Sequence, residues 1–466
     1  MTSRLAAAAA RILPVNPIEG REISWPIEER LAQYNCPGIA ICVIRNGEVD
    51  EAAGFGDAEK GVRKVEADTM FSGASISKPV AAVLALQMVD EGRLSLDAPV
   101  NDVLRGWKIP DNDFTREAPV TLRHILCHKA GLTVHGFGDY PGETGPTALD
   151  TLLGRPPSLT PPVVVDKTPG GTVRYSGGGT TLVEFLLEEL SGKSFEALAA
   201  ERVFEPLGLK RITFGQPLAE QFRPITALGY GSDGTPLPRG YAYTPQKAAG
   251  GIYTSAPDYA AFMVECRKAW LGQSNRLLSR KMAQEMMTRQ SPGQFGLGWE
   301  MFGEGRRLRF AHGGSNAGYQ CNATCFLESG DGAVILTNGM MGIILHTEAL
   351  NAVAAAFDWK DYNKPPRKVR DLPVSEHLNF VGRYRIVSGV DAPHMDVWSE
   401  DGKLFSKIEG MILPPREVFL DESGRLFGQQ TPSETEVVYG PDGRVQQLIV
   451  YAEGEVEMIR AERPAD

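Results

Sequence analysis

In the stretch Phe71-Ser72-Gly73-Ala74-Ser75-Ile76-Ser77-Lys78-Pro79-Val80, small residues lead up to a serine that has a lysine three positions later. The apolar run that follows, from Val80 to Val89, predicts a buried helix. Positions i and i+3 share one helix face, so we expect Lys78 beside the Ser75 hydroxyl. A lysine whose pKa is lowered by desolvation could take the proton of that hydroxyl. Alone, the pattern leaves two interpretations open: a catalytic serine, or a polar helix start with a surface lysine.

Composition limits the classes of protein that this chain can represent. Its 466 residues exceed one ordinary domain, and the apolar share of 42% predicts well-packed cores. The net charge is −10 without basic clusters, which argues against nucleic acid as a partner. No apolar run reaches the roughly 20 residues of a membrane span. The six scattered cysteines predict reduced, buried thiols.

The N-terminal residues indicate where the protein functions. Met1 to Leu13 form a poor secretory signal, because their apolar core is short. We therefore expect a cytoplasmic protein, or a periplasmic one if a leader is missing from the given chain.

Helices and strands are predicted around one long irregular segment. Asn46-Gly47 predicts a tight hairpin turn between strands at 38–44 and 48–56. The segment from Val134 to Gly171 is rich in glycine and proline, which is typical of a functional loop such as the wall of a cleft. Further strands are predicted at 307–310, 320–327 and 333–337, and helices at 23–35, 120–129, 180–190, 195–203, 255–270 and 344–357.

The sequence changes character near residues 363–367. Beyond this point, turn signals such as Asp401-Gly402, Ser423-Gly424 and Asp442-Gly443 separate strand-like runs, which predicts an antiparallel meander. About 100 residues suit a small closed barrel. We predict a first domain at 1–362, a linker at 363–370 and a barrel at 371–466.

Three motifs follow one another in a specific order. They are Ser75-Ile76-Ser77-Lys78, Tyr175-Ser176-Gly177 and His312-Gly313-Gly314-Ser315-Asn316. Over residues 20 to 360 the chain resembles the serine hydrolases related to class C β-lactamases and penicillin-binding proteins, which carry S-x-x-K, Y-x-N and K-T-G or H-x-G in this order. The resemblance implies an α+β fold, in which an antiparallel sheet is flanked by helices and joined by an all-helical subdomain. The C-terminal barrel resembles the lipocalin-like domain of some of these peptidases.

The resemblance also implies roles for the motif residues. Ser75 attacks a carbonyl and becomes acylated, while Lys78 and Tyr175 form a proton relay with tyrosinate or neutral lysine as the base. The backbone N–H groups of Ser75 and Ser315 would form the oxyanion hole. His312 is the fourth residue to which the resemblance gives a catalytic role. Gly313 and Gly314, which follow it, would let the substrate lie close along the strand edge. No metal or organic cofactor is implied.

Two positions depart from the family pattern. Gly177 replaces the usual asparagine, which puts tight recognition of amides and β-lactams in doubt, although Asn316 could supply one hydrogen bond. His312 replaces the lysine of β-lactamases, and a histidine is mostly neutral at pH 7. Members with His-x-Gly resemble peptidases, D-aminopeptidases and esterases.

Other signals are weaker. His124 and His128 have the spacing of zinc peptidases, but Ile125 stands where the acid/base glutamate is needed. The run Gly177-Gly178-Gly179 precedes a helix without the lysine of a phosphate loop.

We therefore predict a serine hydrolase of peptide or amide bonds, with short or D-residue-containing substrates. Two alternatives stay open: a carboxylesterase or acyl transferase on the same fold, and a non-catalytic binding protein that retains it. The oligomeric state cannot be predicted from the sequence.

Overall fold

The computed structural model describes residues 3–142, 144–360, 362–388, 392–411, 413–452 and 456–464. The helices are α1 (Arg4–Ala9), α2 (Ile27–Gln33), α3 (Ser77–Asp90), α4 (Asp113–Glu117), α5 (Leu122–Leu126), α6 (Ala148–Leu153), α7 (Gly177–Ser191), α8 (Phe195–Ala199), α9 (Glu205–Leu207), α10 (Lys247–Gly250), α11 (Ala256–Leu271), α12 (Arg280–Met286), α13 (Gly342–Ala356) and α14 (Val374–His377). The strands are β1 (Gly38–Arg45), β2 (Glu48–Glu59), β3 (Arg63–Lys64), β4 (Met70–Ala74), β5 (Ile212–Thr213), β6 (Ile252–Ser255), β7 (Glu300–Phe302), β8 (Arg309–Asn316), β9 (Tyr319–Phe326), β10 (Gly332–Thr337), β11 (Gly382–Ser388), β12 (His394–Glu400), β13 (Lys403–Ile408), β14 (Arg416–Leu420), β15 (Arg425–Phe427), β16 (Glu434–Tyr439), β17 (Val445–Ala452) and β18 (Val456–Glu462).

The chain forms two compact units. One comprises residues 31–346, and the other comprises residues 1–30 together with 347–466. The predicted linker at 363–370 falls inside the second unit.

A seven-stranded antiparallel sheet organises the larger unit. Its strand order is β3-β2-β1-β10-β9-β8-β7. The predicted hairpin between β1 and β2 is confirmed, since Asn46 and Gly47 have φ values of 52° and 79°, which the mirror-image turns between twisted strands require. Strands β8 and β9 pair in register from Arg309↔Phe326 to Asn316↔Tyr319.

Helices cover this sheet and form a separate helical layer. Helix α11 packs on β1, β2 and β10, while α3 packs against α7, α8 and α10. Nearly every residue of α3 from Ser77 to Leu86 is buried, as its apolar sequence predicts. A small sheet, β4-β6-β5, leads into α3. The prediction of an antiparallel sheet with flanking helices is confirmed.

The second unit contains a closed barrel of the strands β11 to β18 in sequence order. Its interior is filled by apolar side chains, among them Tyr384, Met395, Leu404 and Leu448. The predicted antiparallel barrel is therefore confirmed.

The N-terminal residues belong to this second unit through hydrogen bonds. The Asn16 side chain donates to the carbonyls of Gly428 and Thr431, and buried Arg30 pairs with buried Glu348. These contacts join residues that are far apart in sequence, which composition cannot reveal.

The structure differs from several expectations for secondary structure. The strand predicted at 307–310 begins only at Arg309 and runs to Asn316, and the helix predicted at 195–203 ends as an α-helix at Ala199. The helix predicted at 120–129 ends at Leu126, because His128 adopts a φ of 60°. Helix α6 interrupts the loop predicted from Val134 to Gly171, and a capping box of Thr147 and Asp150 begins it.

All six cysteines are free and buried, as predicted. In the described part of the chain, no helix combines the length and the apolar character needed to cross a membrane.

Candidate active site

Ser75 lies in a turn between β4 and α3 that is fixed from several sides. The residue before it, Ala74, has a φ of 48°, a strained value that non-glycine residues rarely adopt. The Ser77 hydroxyl stabilises the turn, since it donates to the Ala74 carbonyl at 2.6 Å and accepts from the Ile252 N–H at 3.0 Å. Ser75 itself is half-buried, so its hydroxyl is held at a defined position on the edge of the core.

Lys78 lies directly beside this hydroxyl, as its spacing predicted. Its Nζ is 3.1 Å from Ser75 Oγ and donates to the Ala249 carbonyl at 2.6 Å. The side chain is almost completely buried, and this burial lowers the pKa of Lys78 to about 7. A neutral amine has a free lone pair, so it can accept the proton of Ser75.

Tyr175 completes the group around Ser75. The Lys78 Nζ is 4.8 Å from the centre of its ring. Burial raises the pKa of Tyr175 well above 10, and a side-chain hydrogen bond with Ser75 only partly opposes this. Its sequence neighbours hold it in place: the Arg174 N–H donates to the His128 carbonyl, and the Ser176 N–H donates to His128 Nδ1. Tyr175 therefore stays protonated at neutral pH.

Three histidines surround the Tyr175 ring. The ring centroids of His128, His135 and His312 lie 4.3, 5.0 and 6.2 Å from that of Tyr175. The pKa of His128 is lowered well below 6.5 by burial and then by Lys78. Burial, followed by the charge of Lys78, also lowers the pKa of His312 to about 3 and that of His135 below its usual value. All three rings are therefore largely neutral at pH 7.

The hydrogen bonds of His312 define its tautomer. Its Nδ1 lies 2.6 Å from the Gly313 carbonyl oxygen, to which it must donate. The other nitrogen, Nε2, is then an acceptor, and it is buried without a hydrogen-bond partner among the described residues. His312 thus offers an acceptor rather than a cation.

Strand β8 passes close to the nucleophile. A Cβ at Gly314 would collide with the Gly73 carbonyl and lie 3.1 Å from the Ser75 nitrogen, so only glycine allows this approach. Ser315 follows as an exposed residue whose hydroxyl accepts from Gln320. The end of β8 therefore lies beside the Ser75 backbone N–H, where an oxyanion hole is predicted.

Asn316 has a different environment from the one expected. Its Nδ2 donates to the Ser72 hydroxyl and to the Gly250 carbonyl, each at 2.9 Å. Both amide protons are therefore used to connect β8 with β4 and α10, and neither is available to a substrate.

Gly177, at the start of α7, lies beneath another segment. Its N–H donates to the His135 carbonyl at 2.9 Å, and a Cβ there would lie 3.0 Å from that oxygen and from the Phe137 ring. The space beside Gly177 is thus taken by residues 135–137, which belong to the loop predicted as a cleft wall.

Sequence reasoning missed three groups at this site. His128 was considered only as a zinc ligand, and His135 and Glu184 carried no motif. Glu184 accepts from the Ala248 N–H at 2.9 Å and so supports the helix whose Ala249 carbonyl holds Lys78. Burial, and then the charge of Glu188, raise the pKa of Glu184 to about 8. Glu184 and the helix α10 that it supports are far apart in the sequence, so no local motif indicates this contact.

Comparisons with known proteins agree with this geometry. The family model described as Beta-lactamase matches residues 27–355, which confirms the resemblance seen in the three motifs. The chain is 27% identical over 362 residues to penicillin-binding protein 4 of Amycolatopsis lactamdurans, covering 74% of this chain and 92% of that protein. It is 30% identical over 224 residues to the esterase EstB of Burkholderia gladioli, covering 45% of this chain and 54% of that esterase.

Among solved structures, the fold is similar to that of the octameric penicillin-binding protein homologue from Pyrococcus abyssi. The TM-score is 0.63 at 21% sequence identity, and the match covers 93% of this chain and 98% of that one. This likeness confirms the predicted fold class.

Proposed function

Since the chain belongs to the beta-lactamase family and is a serine hydrolase, we propose that it cleaves peptide or amide bonds through an acyl-enzyme on Ser75. One observation carries the proposal: the Lys78 amine is 3.1 Å from Ser75 Oγ, in a buried position that lowers its pKa to about 7. This is the property that a general base requires near neutral pH.

Acylation begins with transfer of the Ser75 proton to neutral Lys78. The oxygen then attacks the substrate carbonyl carbon, and the backbone N–H groups of Ser75 and Ser315 stabilise the resulting oxyanion. When the C–N bond breaks, the leaving nitrogen takes a proton from the Tyr175 hydroxyl, which Lys78 restores. Water then hydrolyses the ester on Ser75, with the same lysine as base.

The family resemblance left two candidate bases open, Lys78 and the tyrosinate of Tyr175, and their pKa values differ in direction. A tyrosinate would need a lowered pKa, whereas the pKa of Tyr175 is raised. Lys78 has the opposite property, so it acts as the base and Tyr175 as the proton donor. His128 and His312 lie against the Tyr175 ring and position it.

We propose short peptides or amides, including those with D-residues, as substrates. A carboxylesterase or acyl transferase is the second candidate, and Gly177 favours it because no side chain at that position can bind a substrate amide. The likeness to the esterase EstB supports the same alternative.

Mass spectrometry of the intact protein tests the proposal. Incubation with a fluorophosphonate, or with p-nitrophenyl esters under rapid quenching, should add one acyl or phosphonyl group to the wild type and none to Ser75→Ala. Ser232→Ala removes an exposed serine of the same unit and should be labelled like the wild type. Labelling of Ser75→Ala would exclude Ser75 as the nucleophile, and an unlabelled wild type would favour a non-catalytic binding protein.

A paired substrate separates the two candidate activities. A p-nitrophenyl ester and the p-nitroanilide of the same acyl group differ only in the bond that is cleaved. Turnover of both supports the peptidase or amidase, and turnover of the ester alone supports the esterase.

A further inference from the structure

The backbone at Val134 adopts an unusual conformation beside the candidate active site. Its φ is 63°, a value that is a genuine outlier for a β-branched residue. Hydrogen bonds hold it there: the Val134 carbonyl accepts from the Gly178 N–H at 3.0 Å, and the preceding Thr133 carbonyl accepts from the Ser176 hydroxyl at 2.7 Å. Strained residues that surrounding contacts enforce are concentrated at functional sites.

The consequence of this conformation is the position of His135. Its carbonyl accepts from the Gly177 N–H, so the segment is fixed to the start of α7. Its imidazole lies 5.0 Å from the Tyr175 ring, at an interplanar angle of 44°, and the residue keeps part of its surface exposed to solvent. A polar side chain therefore lies beside Tyr175, on the residue whose carbonyl binds the Gly177 N–H.

His135 also brings a hydrogen-bond acceptor to the site. A neutral imidazole carries one acceptor nitrogen, and partial burial, followed by the charge of Lys78, lowers the pKa of His135 below its usual value. His312 Nε2, although unpartnered among the described residues, is fully buried, so the accessible acceptor beside Tyr175 is that of His135. This acceptor is complementary to a substrate that brings an N–H group.

We propose that His135 determines specificity by accepting a hydrogen bond from an N–H group on the α-carbon of the acyl portion of the substrate. It makes this contact in place of a side chain at position 177. The inference rests on the proposed acyl-enzyme at Ser75 and names the substrate feature that this site recognises. A free α-amino group and an α-acylamino group share the required chemistry.

Kinetics with three p-nitrophenyl esters test this contact. The esters of N-acetylalanine, alanine and propionic acid share one leaving group, and they differ in whether the α-carbon carries an acylamino group, a free amine or neither. Both enantiomers of the first two are used. One hydrogen bond predicts that the wild type prefers an N–H-bearing ester over the propionyl ester by about tenfold in kcat/KM.

His135→Ala should reduce this preference about tenfold, and His135→Gln should restore part of it, because the glutamine amide also carries an acceptor. Arg155→Ala, at an exposed position of the same loop, should keep the preference of the wild type. Whether the acetylated or the free-amine ester shows the greater loss identifies which N–H the enzyme uses.

Two results would overturn the inference. One is a wild type without preference for either N–H-bearing ester. The other is a preference retained in His135→Ala, even if all rates fall together, because that result indicates a purely structural role. Fluorophosphonate labelling of Ser75 is measured in parallel. Labelled protein with a retained preference overturns the role of His135 alone, whereas unlabelled wild type overturns the proposed function and this inference with it.

Discussion

The pH dependence of acylation distinguishes lysine from tyrosine as the base. The pKa of Lys78 is about 7 because its amine is buried, so about half of the molecules hold the neutral form at pH 7. With the ordinary pKa of 10.5, about one molecule in 3,000 would be neutral. Burial of Lys78 therefore increases the population of the active base by about three orders of magnitude.

The assay is the pre-steady-state burst with a p-nitrophenyl ester between pH 5 and 10. We expect the acylation rate to fall about tenfold per pH unit below 7 and to reach a plateau above about pH 8, because only neutral Lys78 accepts the proton. Lys78→Met should lower the plateau by about 10²–10⁴-fold.

Tyr175→Phe is the decisive variant. It should leave the midpoint near pH 7, because the base is unchanged. It should also slow cleavage of a p-nitroanilide far more than cleavage of the ester, since the amide nitrogen needs a proton to leave and p-nitrophenolate does not. A wild-type rate that continues to rise through pH 10, together with loss of that rise in Tyr175→Phe, would refute the assignment of Lys78.

Two further predictions concern stability. Lys78→Met should raise the free energy of unfolding by about 2–3 kcal/mol at pH 6. Removing the buried charge saves about 5 kcal/mol, and the Ala249 carbonyl, which loses its hydrogen-bond donor, offsets part of that gain. The pKa of Lys78 in the folded protein lies below the ordinary 10.5, so the cost of burying its charge is complete below pH 7 and is lost as the pH rises towards 10.5. Urea unfolding should therefore show a smaller gain in stability for Lys78→Met at pH 9.5 than at pH 6. An equal gain at both pH values would contradict the reasoning. Ser77→Ala should cost about 2–4 kcal/mol and reduce acylation of Ser75, because it leaves the buried Ala74 carbonyl and Ile252 N–H without their partner. Ser232→Ala is the control for Ser77→Ala, and an equal stability of the two variants would exclude a role for the Ser77 hydroxyl in fixing the turn.

The sequence was most informative where local patterns determine the structure. The spacing of Ser75 and Lys78 predicts their contact, because a turn leading into a helix brings these positions together. Alternating and apolar runs likewise predict strands and buried helices. The position of Lys78 at the start of an apolar helix already suggests a lowered pKa. Its hydrogen bond to the Ala249 carbonyl could not be predicted, because Ala249 lies 171 positions further along the chain.

The sequence was least informative where a residue acts through its neighbours in space. Asn316 follows the third motif directly, yet its amide is used by Ser72 and Gly250. His135 lies in an irregular segment, and its approach to Tyr175 depends on the strained backbone of Val134. The sequence shows that position 177 has no side chain. It does not show that residues 135–137 occupy the space beside that position.

The charges around Ser75 decide which substrates suit the site. Near neutral pH the three histidines are largely neutral and Lys78 is only half protonated. The pKa of Tyr175 is raised first by burial and to a smaller extent by the negative charge of Glu300. These groups offer no permanent cation to a substrate carboxylate such as that of a penicillin. Moreover, a carboxylate close to Lys78 would raise its pKa, because an opposite charge favours the protonated amine. An anionic substrate would thus find no fixed partner among these groups and would also suppress the base. We therefore expect uncharged peptides, amides and esters to acylate Ser75 faster than penicillins do.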